Sequence, residues 1–351
     1  MFGLKLERAP APLWMRGLIP ILAIVLTFLL ASIIVLIAGA NPGDAIMELL
    51  VNPLTKTTAR WDIVVMATPL LLTGAAVTFA FASGYYNIGA EGQLYAGAIA
   101  AAWLGPQLQN VAPVISIPLM LIVGFIAGAL WAAPPALLKV KLGVDEVVTT
   151  LLLNSVMLFI VSALLNGPWR DPVSGWPQSP TIADNAQLPI LIPRSRIHLG
   201  AVIAVLVLVA VWWIFKRTKF GLELRAAGIG RDAARFMGVR VDRVTITAAL
   251  ISGGIAGLAG MSEVAGIHHY LIEAISPGYG YTGIIIATLG GLTAPGVLLG
   301  GLFLALISRG ALSASRELNV PVYLGDVIQA ILLLVTLAVL LLNRYRIRRV
   351  R

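Results

Sequence analysis

The polar side chains that could do chemistry in this 351-residue sequence are few, and three of them, Asn87, Glu91 and Gln93, fall within seven residues of one another. At a junction between broken helices they could hydrogen-bond a polar solute, because irregular backbone inside a membrane lines cavities. Alternatively, Asn87 caps a helix and Glu91 complements its positive end. Helical spacing prevents Asn87 and Gln93 from both sharing the face of Glu91, so at most two of the three are expected to touch a solute.

Asn154 and Glu263 are two further polar residues within apolar surroundings. A buried Asn needs hydrogen-bond partners, so Asn154 either bonds a neighbouring helix or lines a pathway. Glu263 ends a segment in which Gly253, Gly257 and Gly260 recur at helical spacing. Such glycines favour close packing of helices over a ligand role, and they place Glu263 near the outer mouth.

Patterns for metal binding and catalysis are weak. The densest group of metal ligands, His268, His269 and Glu273, contains two adjacent histidines, whose side chains would diverge by about 100° on a helix. The sequence has no cysteine, no Ser/His/Asp nucleophile elbow and no GxxxxGK[ST] phosphate loop. We therefore expect no metal, no cofactor and no catalytic residues, and any ATP hydrolysis must come from another chain.

The elements that must position these residues are membrane-spanning helices. Hydrophobic residues make up 59% of the chain and charged residues 12%, against about a quarter charged in soluble domains. Apolar runs of about 18 residues or more recur, which predicts an all-α, polytopic membrane protein with a single transmembrane domain over 1–351. The candidate spans are 18–39, 61–83, 90–105, 113–137, 147–166, 198–215, 244–266, one or two crossings within 281–312, and 326–343.

The distribution of basic residues predicts the topology. Lys and Arg concentrate in cytoplasmic segments, which places the N-terminus, 139–146 and 216–243 inside. If 281–312 crosses once, the basic tail 344–351 falls outside; if it crosses twice, the tail falls inside with most of the 25 basic residues. We therefore predict about ten crossings with both termini cytoplasmic. This rule also explains the net charge of +9, so we expect no nucleic-acid partner.

The largest external segment is 167–197. It is rich in proline, which excludes a long helix, and Trp169 and Trp176 suit an anchor at the membrane interface. It is either a docking surface for an external partner or an ordered loop that rests on the bilayer.

The longest polar insertion on the inner side is 217–243. A helix of two turns is predicted there, starting at Gly230 or Asp232 and ending at Gly238. A helix this short is unstable alone, so it must pack on the membrane domain or on a partner. Phe236 and Met237 beside small residues favour a partner-docking element over a plain charged loop.

This insertion resembles the cytoplasmic coupling loop of ABC importer permeases of the ribose, nucleoside and branched-chain amino-acid group. The matching residues are Phe220-Gly221, Arg225-Ala226, Gly228, Ala233-Ala234 and Gly238-Val239. The resemblance implies that Arg225, Gly228, Ala233, Ala234, Arg235 and Gly238 couple the chain to an ATPase.

Two further stretches extend the resemblance over most of the chain after residue 60. SGYYNIGAEGQLYAGA, 83–98, is similar to the FNIGxEGQ signature of the nucleoside-type branch, with Tyr86 in the Phe position. PGYGYTGIIIATLGGLTAPGVLLGGL, 277–302, is similar to that branch's GFTGIAVALLG stretch, with Tyr281 in the Phe position. The sugar-type branch carries an Asp-Leu-Ser-type sequence where this chain has Asn87-Ile88-Gly89, which favours nucleosides.

The resemblance implies a permease subunit of an importer in the bacterial inner membrane, surrounded by membrane lipid. Its expected partners are an ABC ATPase, often a fused double ATPase, a second permease chain that is a paralogue in many such systems, and an extracytoplasmic solute-binding protein. The expected substrate path includes Asn87, Glu91, Gln93 and Asn154.

Alternative functions remain at this stage. Within the same importer group the substrate could be a simple sugar, a riboflavin-like vitamin or a branched-chain amino acid. A carrier driven by an ion gradient is a different class, but it needs carboxylates at mid-membrane, and the interiors of these spans contain almost none. A membrane-embedded enzyme lacks a catalytic cluster.

Overall fold

Helices form most of the protein, as the sequence predicts. The computed structural model describes residues 3–8, 13–171, 175–318, 320–321, 323–341 and 345–350. The elements, in chain order, are β1 Gly3–Arg8, α1 Leu13–Ile37, α2 Pro42–Ile46, α3 Asn52–Thr55, α4 Thr57–Phe81, α5 Ala90–Leu104, α6 Pro113–Leu142, α7 Glu146–Asn166, α8 Gly200–Arg217, α9 Lys219–Ile229, α10 Arg231–Phe236, α11 Val241–Glu263, α12 Tyr279–Leu289, α13 Ala294–Leu318, α14 Leu324–Leu341 and β2 Tyr345–Val350.

Six of these helices, α4, α6, α7, α8, α11 and α13, are long and apolar enough to cross a membrane. Capping residues in the sequence set their ends. Gly143 adopts the left-handed conformation that ends α6, and the Asp145 carboxylate accepts the N–H of Val147 at 2.8 Å to begin α7. Residues 143–145 therefore form a tight turn between α6 and α7.

The segment 281–312 forms two helices rather than one kinked helix. The turn between α12 and α13 contains two residues with positive φ, Gly291 and Leu292. Gly296 packs on the carbonyl of Gly290, where a side chain would collide with the backbone. With 11 residues, α12 is about 16 Å long, roughly half of the 30 Å hydrocarbon thickness.

The chain forms two compact units. The first is Trp61–Ala305, in which α11 packs tightly on α5 and α6. The glycines that the sequence singles out make this possible: side chains at Gly253, Gly257 and Gly260 would overlap backbone carbonyl groups of α6 or α5. The prediction of close glycine packing is confirmed.

The second unit consists of Met1–Arg60 and Leu306–Arg351. In it α1 packs against α14, and Gly310 lies directly on the backbone of Leu49. The Ser313 hydroxyl donates to the Glu48 carboxylate at 2.8 Å. The short helices α2 and α3, with a π-helical turn at Met47–Val51 between them, were not predicted, because 40–56 is too short and too polar to signal a span.

A small antiparallel ribbon departs from the all-α prediction. Strand β1 pairs with β2 so that Gly3 lies opposite Val350 and Arg8 lies opposite Tyr345. Alternating apolar and charged residues in β1 suit a strand, but its partner lies at the other end of the sequence. The pairing brings the two ends of the chain together.

Candidate functional site

The four side chains predicted to line a substrate path are all buried: Asn87, Glu91, Gln93 and Asn154. The structure brings them together around the first turn of α5. Each makes hydrogen bonds within the protein, and the partners come from α7, α11 and α12.

Glu91 joins the starts of two helices. It lies in the first turn of α5, and its carboxylate accepts the N–H of Gly280, in the first turn of α12, at 2.6 Å. The Ser276 hydroxyl, which accepts the N–H of Tyr279 at 2.9 Å, also hydrogen-bonds this carboxylate. Only glycine fits at position 280, because a Cβ there would overlap the backbone of Glu91. One carboxyl group therefore joins the N-terminal ends of two helices.

Asn87 and Gln93 form a reciprocal amide pair. Asn87 Nδ2 donates to Gln93 Oε1 at 2.8 Å, and Gln93 Nε2 donates to Asn87 Oδ1 at 3.1 Å. Asn87 Nδ2 also donates to Ser252, which in turn donates to the carbonyl of Ala76 at 2.7 Å. The amide pair thus ties the start of α5 to α11 and α4.

Asn87 does not cap α5, so the alternative in which it is the N-cap of this helix is wrong. The N-cap is Gly89, which makes no side-chain cap, and Asn87 Oδ1 accepts the N–H of Gly89 at 2.9 Å. The reason is that the backbone stays irregular through 85–89, so the helix starts three residues after Asn87 instead of next to it.

Asn154 on α7 bridges α5 and α12. Its side-chain oxygen accepts the N–H of Gly92 at 2.8 Å. Its amide donates to the carbonyl of Ile88 at 2.9 Å and to the hydroxyl of the half-exposed Tyr281 at 3.2 Å. Asn154 therefore holds the irregular segment before α5 and reaches the same helix that Glu91 contacts.

Four further polar residues lie around this cluster, and sequence patterns did not identify them: Ser252, Ser276, Tyr85 and Trp131. The Trp131 indole nitrogen and the Tyr85 hydroxyl are buried without a hydrogen-bond partner in the part of the chain that the structure describes. Burial and the nearby Glu146 carboxylate raise the pKa of Tyr85, so its hydroxyl keeps its proton. A tyrosine or serine within an apolar stretch could have indicated such a residue in the sequence. This indication is weak because tyrosines and serines are common there.

The insertion 217–243, which the charge distribution predicts to be cytoplasmic, forms α9 and α10, and the predicted two-turn helix is present. Gly230 precedes α10, and Gly238, with φ of 85°, follows it. Ala234 is buried, while Phe236 is 95% exposed, Met237 69% and Ile229 90%. These three apolar side chains, which we call the exposed knob, have no cover within the described chain.

The other predicted coupling residues lie on α9 and α10. Arg235 of α10 forms an ion pair with Asp242 of α11 at 2.8 Å, and this contact joins α10 to the start of α11. Arg225 Nε donates to the carbonyl of Gly221 within α9, and Ala233 is exposed.

Gly228 contacts the linker between α4 and α5. A Cβ on Gly228 would overlap the carbonyl of Ala82 and lie 3.2 Å from the nitrogen of Gly84. Gly84 itself has a positive φ of 76°, and a Cβ on it would lie 3.2 Å from the Cα of Gly228. The linker continues within three residues to Asn87, so the cytoplasmic segment and the polar cluster are joined by backbone contact.

An ion pair fixes the same linker from the other side. Lys139 at the end of α6 pairs with the buried Glu146 at the start of α7. Glu146 also accepts the N–H of Tyr86 at 3.4 Å. Asp145 and Glu146 thus both serve the start of α7, and Glu146 additionally holds the linker.

The segment 167–197, which is predicted to be external, packs on the helices next to it; residues 172–174 lie outside the described residues. Backbone bonds join Ser179 to Leu271, Ile182 to His269, and Leu188 to Ala265. Trp176 and Ile190 are exposed on its outer side.

Three histidines lie beneath the external segment. His198 is wedged between Gly200 and Gly266, and burial followed by the influence of His269 lowers its pKa to about 4. His268 Nε2 lies 4.0 Å from the Glu263 carboxylate. Among the residues described, no group of three or more potential ligands is arranged to hold a metal ion.

The chain is similar to known transport proteins. A family model described as "Branched-chain amino acid transport system / permease component" matches residues 60–337. The glucose ABC transporter permease protein TsgB13 of Haloferax volcanii is 34% identical over 97% of this chain and 92% of its own. The guanosine ABC transporter permease protein NupP of Bacillus subtilis is 35% identical over 90% and 92%. The nucleoside ABC transporter permease protein NupB of Lactococcus lactis is 29% identical over 90% and 89%.

Proposed function

The chain belongs to the permease-component family of branched-chain amino acid transport systems, an ABC importer family, and from this membership we propose that it forms the channel of an ATP-driven importer of nucleosides. The proposed mechanism rests on the contact between Gly228 and the α4–α5 linker, which leads to Asn87. Motion of the cytoplasmic segment reaches the polar cluster through that contact.

The nucleoside assignment rests on two relatives whose names specify guanosine and nucleosides. A simple sugar is the second candidate, because a relative that is 34% identical over 97% of this chain is named for glucose. A nucleoside contains a ribose as well as a base, so both candidates share a need for amide and carboxylate groups that bond hydroxyls.

The polar cluster is the proposed substrate path. Asn87, Glu91, Gln93 and Asn154 supply acceptors and donors that a sugar or base requires, and Tyr281 beside them is half-exposed. In the conformation described, these groups bond one another, which suits a closed state. Opening exchanges the bonds within the cluster for bonds to the solute, so little hydrogen-bonding free energy is lost.

The exposed knob is the proposed ATPase docking element. Apolar side chains as exposed as Phe236 are costly in water and mark an interaction surface. ATP binding in the partner would shift α10 and α9, and Gly228 would press on the linker. The ATP is hydrolysed by the partner and not by this chain.

The proposed topology is ten crossings with cytoplasmic ends. The pairing of β1 with β2 supports an even number of crossings, because paired strands lie on one side of the membrane. The ten helices α1, α4 to α8 and α11 to α14 follow the spans predicted from the sequence. The short α12 crosses only part of the bilayer, so α12 and α13 together form a hairpin with one half-length arm.

Further partners complete the importer in the bacterial inner membrane. A second guanosine permease of Bacillus subtilis, NupQ, is also similar to this chain, at 29% identity over 56% of it, which supports pairing with a paralogue. A solute-binding protein would dock on the ordered external segment, whose Trp176 and Ile190 are exposed.

Uptake of labelled guanosine by cells that express this permease with its partners tests the proposal. We expect uptake that unlabelled nucleosides reduce, and that glucose, riboflavin and leucine leave unchanged. Deletion of the partner ATPase should abolish it. Uptake that survives the deletion but collapses with an uncoupler would identify an ion-driven carrier, and competition by glucose alone would identify a sugar permease.

A further inference from the structure

A cavity of about 500 Å³ opens between α9 and α11. Lys219 and Glu223 line it from α9, and Arg240, Arg243 and Thr247 line it from α11. Three cations therefore face one carboxylate across an open space large enough for a small anionic group.

The arginines of the cavity differ from two neighbouring arginines in making no side-chain contact to a polar partner among the described residues. Arg235 pairs with Asp242, and Arg231 donates to the Thr245 hydroxyl at 3.2 Å. Arg240 and Arg243 have no ion pair with any of the described residues. Lys219 pairs only loosely with Glu223, at 3.6 Å, and its side chain is exposed. The positive charge of the cavity is thus mostly uncompensated.

These groups lie at the start of α11. Arg243 and Thr247 are four residues apart on one face of the helix, and Arg240 is the residue directly before it. The two arginines line the same cavity, so their like charges repel each other. The Thr247 hydroxyl is exposed and, like the two guanidinium groups, makes no hydrogen bond to the part of the chain described. An anion between them would relieve the repulsion and accept all three donors.

Residues next to the cavity are of the types that membrane proteins place at the level of the lipid headgroups. Trp212 and Trp213 are exposed near the end of α8, as indoles are in the aromatic belts of membrane proteins. Lys216 and Arg217 follow within one turn, and Lys219 begins α9. On the other side, α11 enters the membrane from Val241.

We propose that this cavity binds a phosphate group. Guanidinium groups bind phosphate through paired hydrogen bonds, and an ammonium group adds a point charge. The Thr247 hydroxyl supplies a further donor, and Lys219 turns from Glu223 towards the anion. The source of the phosphate is either the headgroup of an anionic lipid or a soluble phosphate compound. This site does not depend on which solute the chain transports.

The test uses the purified full chain in phosphatidylcholine nanodiscs with increasing phosphatidylglycerol, and native mass spectrometry counts the retained anionic lipids. A second arm titrates inorganic phosphate into discs of phosphatidylcholine alone. The cavity variant is Arg240→Gln with Arg243→Gln. The matched control, Lys216→Gln with Arg217→Gln, removes the same charge from the same end of the membrane domain, outside the cavity lining. Unchanged thermal midpoints show that both variants fold.

We expect the cavity variant to lose affinity on the order of 30-fold in the arm that contains the ligand, because each arginine removed takes away a direct charge-assisted hydrogen bond to the phosphate worth at least about 1 kcal/mol. The control removes the same charge but no such bond, so it should lose clearly less. Loss of lipid retention identifies a headgroup, and loss of inorganic phosphate binding identifies a soluble ligand. Equal losses in both variants, or no binding in either arm, would overturn the proposal. So would a cavity variant that binds phosphate normally but no longer binds the ATPase, because the arginines would then serve acidic side chains of that partner.

Discussion

Gly228 on α9 and Gly84 in the α4–α5 linker lie backbone against backbone, with space for a hydrogen atom and not for a methyl group on Gly228. Neither residue carries a side chain that could bend out of the way. A displacement of α9 is therefore passed to the linker without being absorbed by side-chain rotation, and the linker ends at the polar cluster.

Gly228→Ala should uncouple transport from ATP hydrolysis. The added methyl group would overlap the carbonyl of Ala82, so α9 must move away from the linker. We expect uptake to fall at least tenfold, with ATPase activity of the reconstituted complex retained within about twofold, at a stability cost of roughly 1–3 kcal/mol. Gly230→Ala is the matched control, because a methyl group there meets only Ala233 at 3.8 Å. If the ratio of uptake to ATP hydrolysis is the same in both variants, the contact between Gly228 and the linker does not transmit motion.

Phe236→Ser should weaken binding of the ATPase. Burial of a phenylalanine side chain stabilises an interface by about 1.5–3 kcal/mol, which corresponds to a loss of at least tenfold in affinity. Phe236→Leu keeps an apolar surface and should retain most of the binding. Co-purification and titration of the ATPase against the permease in nanodiscs measure both. If serine and leucine behave alike, the ATPase docks elsewhere.

The Glu91→Gln variant tests whether Glu91 takes part in the substrate path or has a purely structural role. Glutamine can still accept the N–H of Gly280, but one carboxyl oxygen becomes an NH2 group that can only donate. We expect uptake to fall at least tenfold and abundance in the membrane to fall less than twofold. Glu273→Gln, at an external site that bonds Asn166, is the control. A parallel fall in uptake and abundance would mean that Glu91 only stabilises the helix starts.

The effects of Asn87→Ala and Gln93→Ala on the free energy of unfolding should not be additive. Each single variant leaves one buried amide without its partner, whereas the double variant removes both. Cycles between polar residues in membrane helices average about 0.6 kcal/mol, with an upper value near 1.7. We expect a coupling energy in the upper half of this range, measured by unfolding in mixed micelles. Additive losses would show that the two amides act separately.

Acidification should loosen the external segment through His198. This residue lies outside the span, which begins at Gly200, and its pKa is about 4 in the folded state against about 6.5 unfolded. The unfolded state binds the proton more readily, so the contribution to stability is fully present above pH 6.5 and is lost as the pH falls towards 4. The loss amounts to about 3 kcal/mol.

The measurement is the thermal midpoint between pH 7.5 and pH 4.5. His198→Gln should flatten this dependence, and His268→Gln, a half-exposed neighbour, should flatten it much less. A wild-type midpoint that does not change with pH would contradict the prediction.

Local patterns in the sequence predict the helices well, and long-range contacts poorly. Runs of apolar residues place each span to within a few residues, and Gly143 and Asp145 mark a turn by their own chemistry. The hydrogen-bond partner of Glu91 cannot be predicted from local sequence patterns, because Gly280 lies 189 positions away. Capping by Asn87 was one of two alternatives that its residue type allows, and the structure excludes it, because Asn87 instead bonds Gln93 and, 165 positions away, Ser252.

The external segment is attached to the membrane domain through main-chain groups: the amides of Ser179, Ile182 and Leu188 donate to carbonyls at 271, 269 and 265. Any amino acid other than proline carries the amide that such a bond needs. The outward side chains of this segment can therefore change during evolution without detaching it. Related permeases could keep one scaffold and vary this surface to match different delivery proteins.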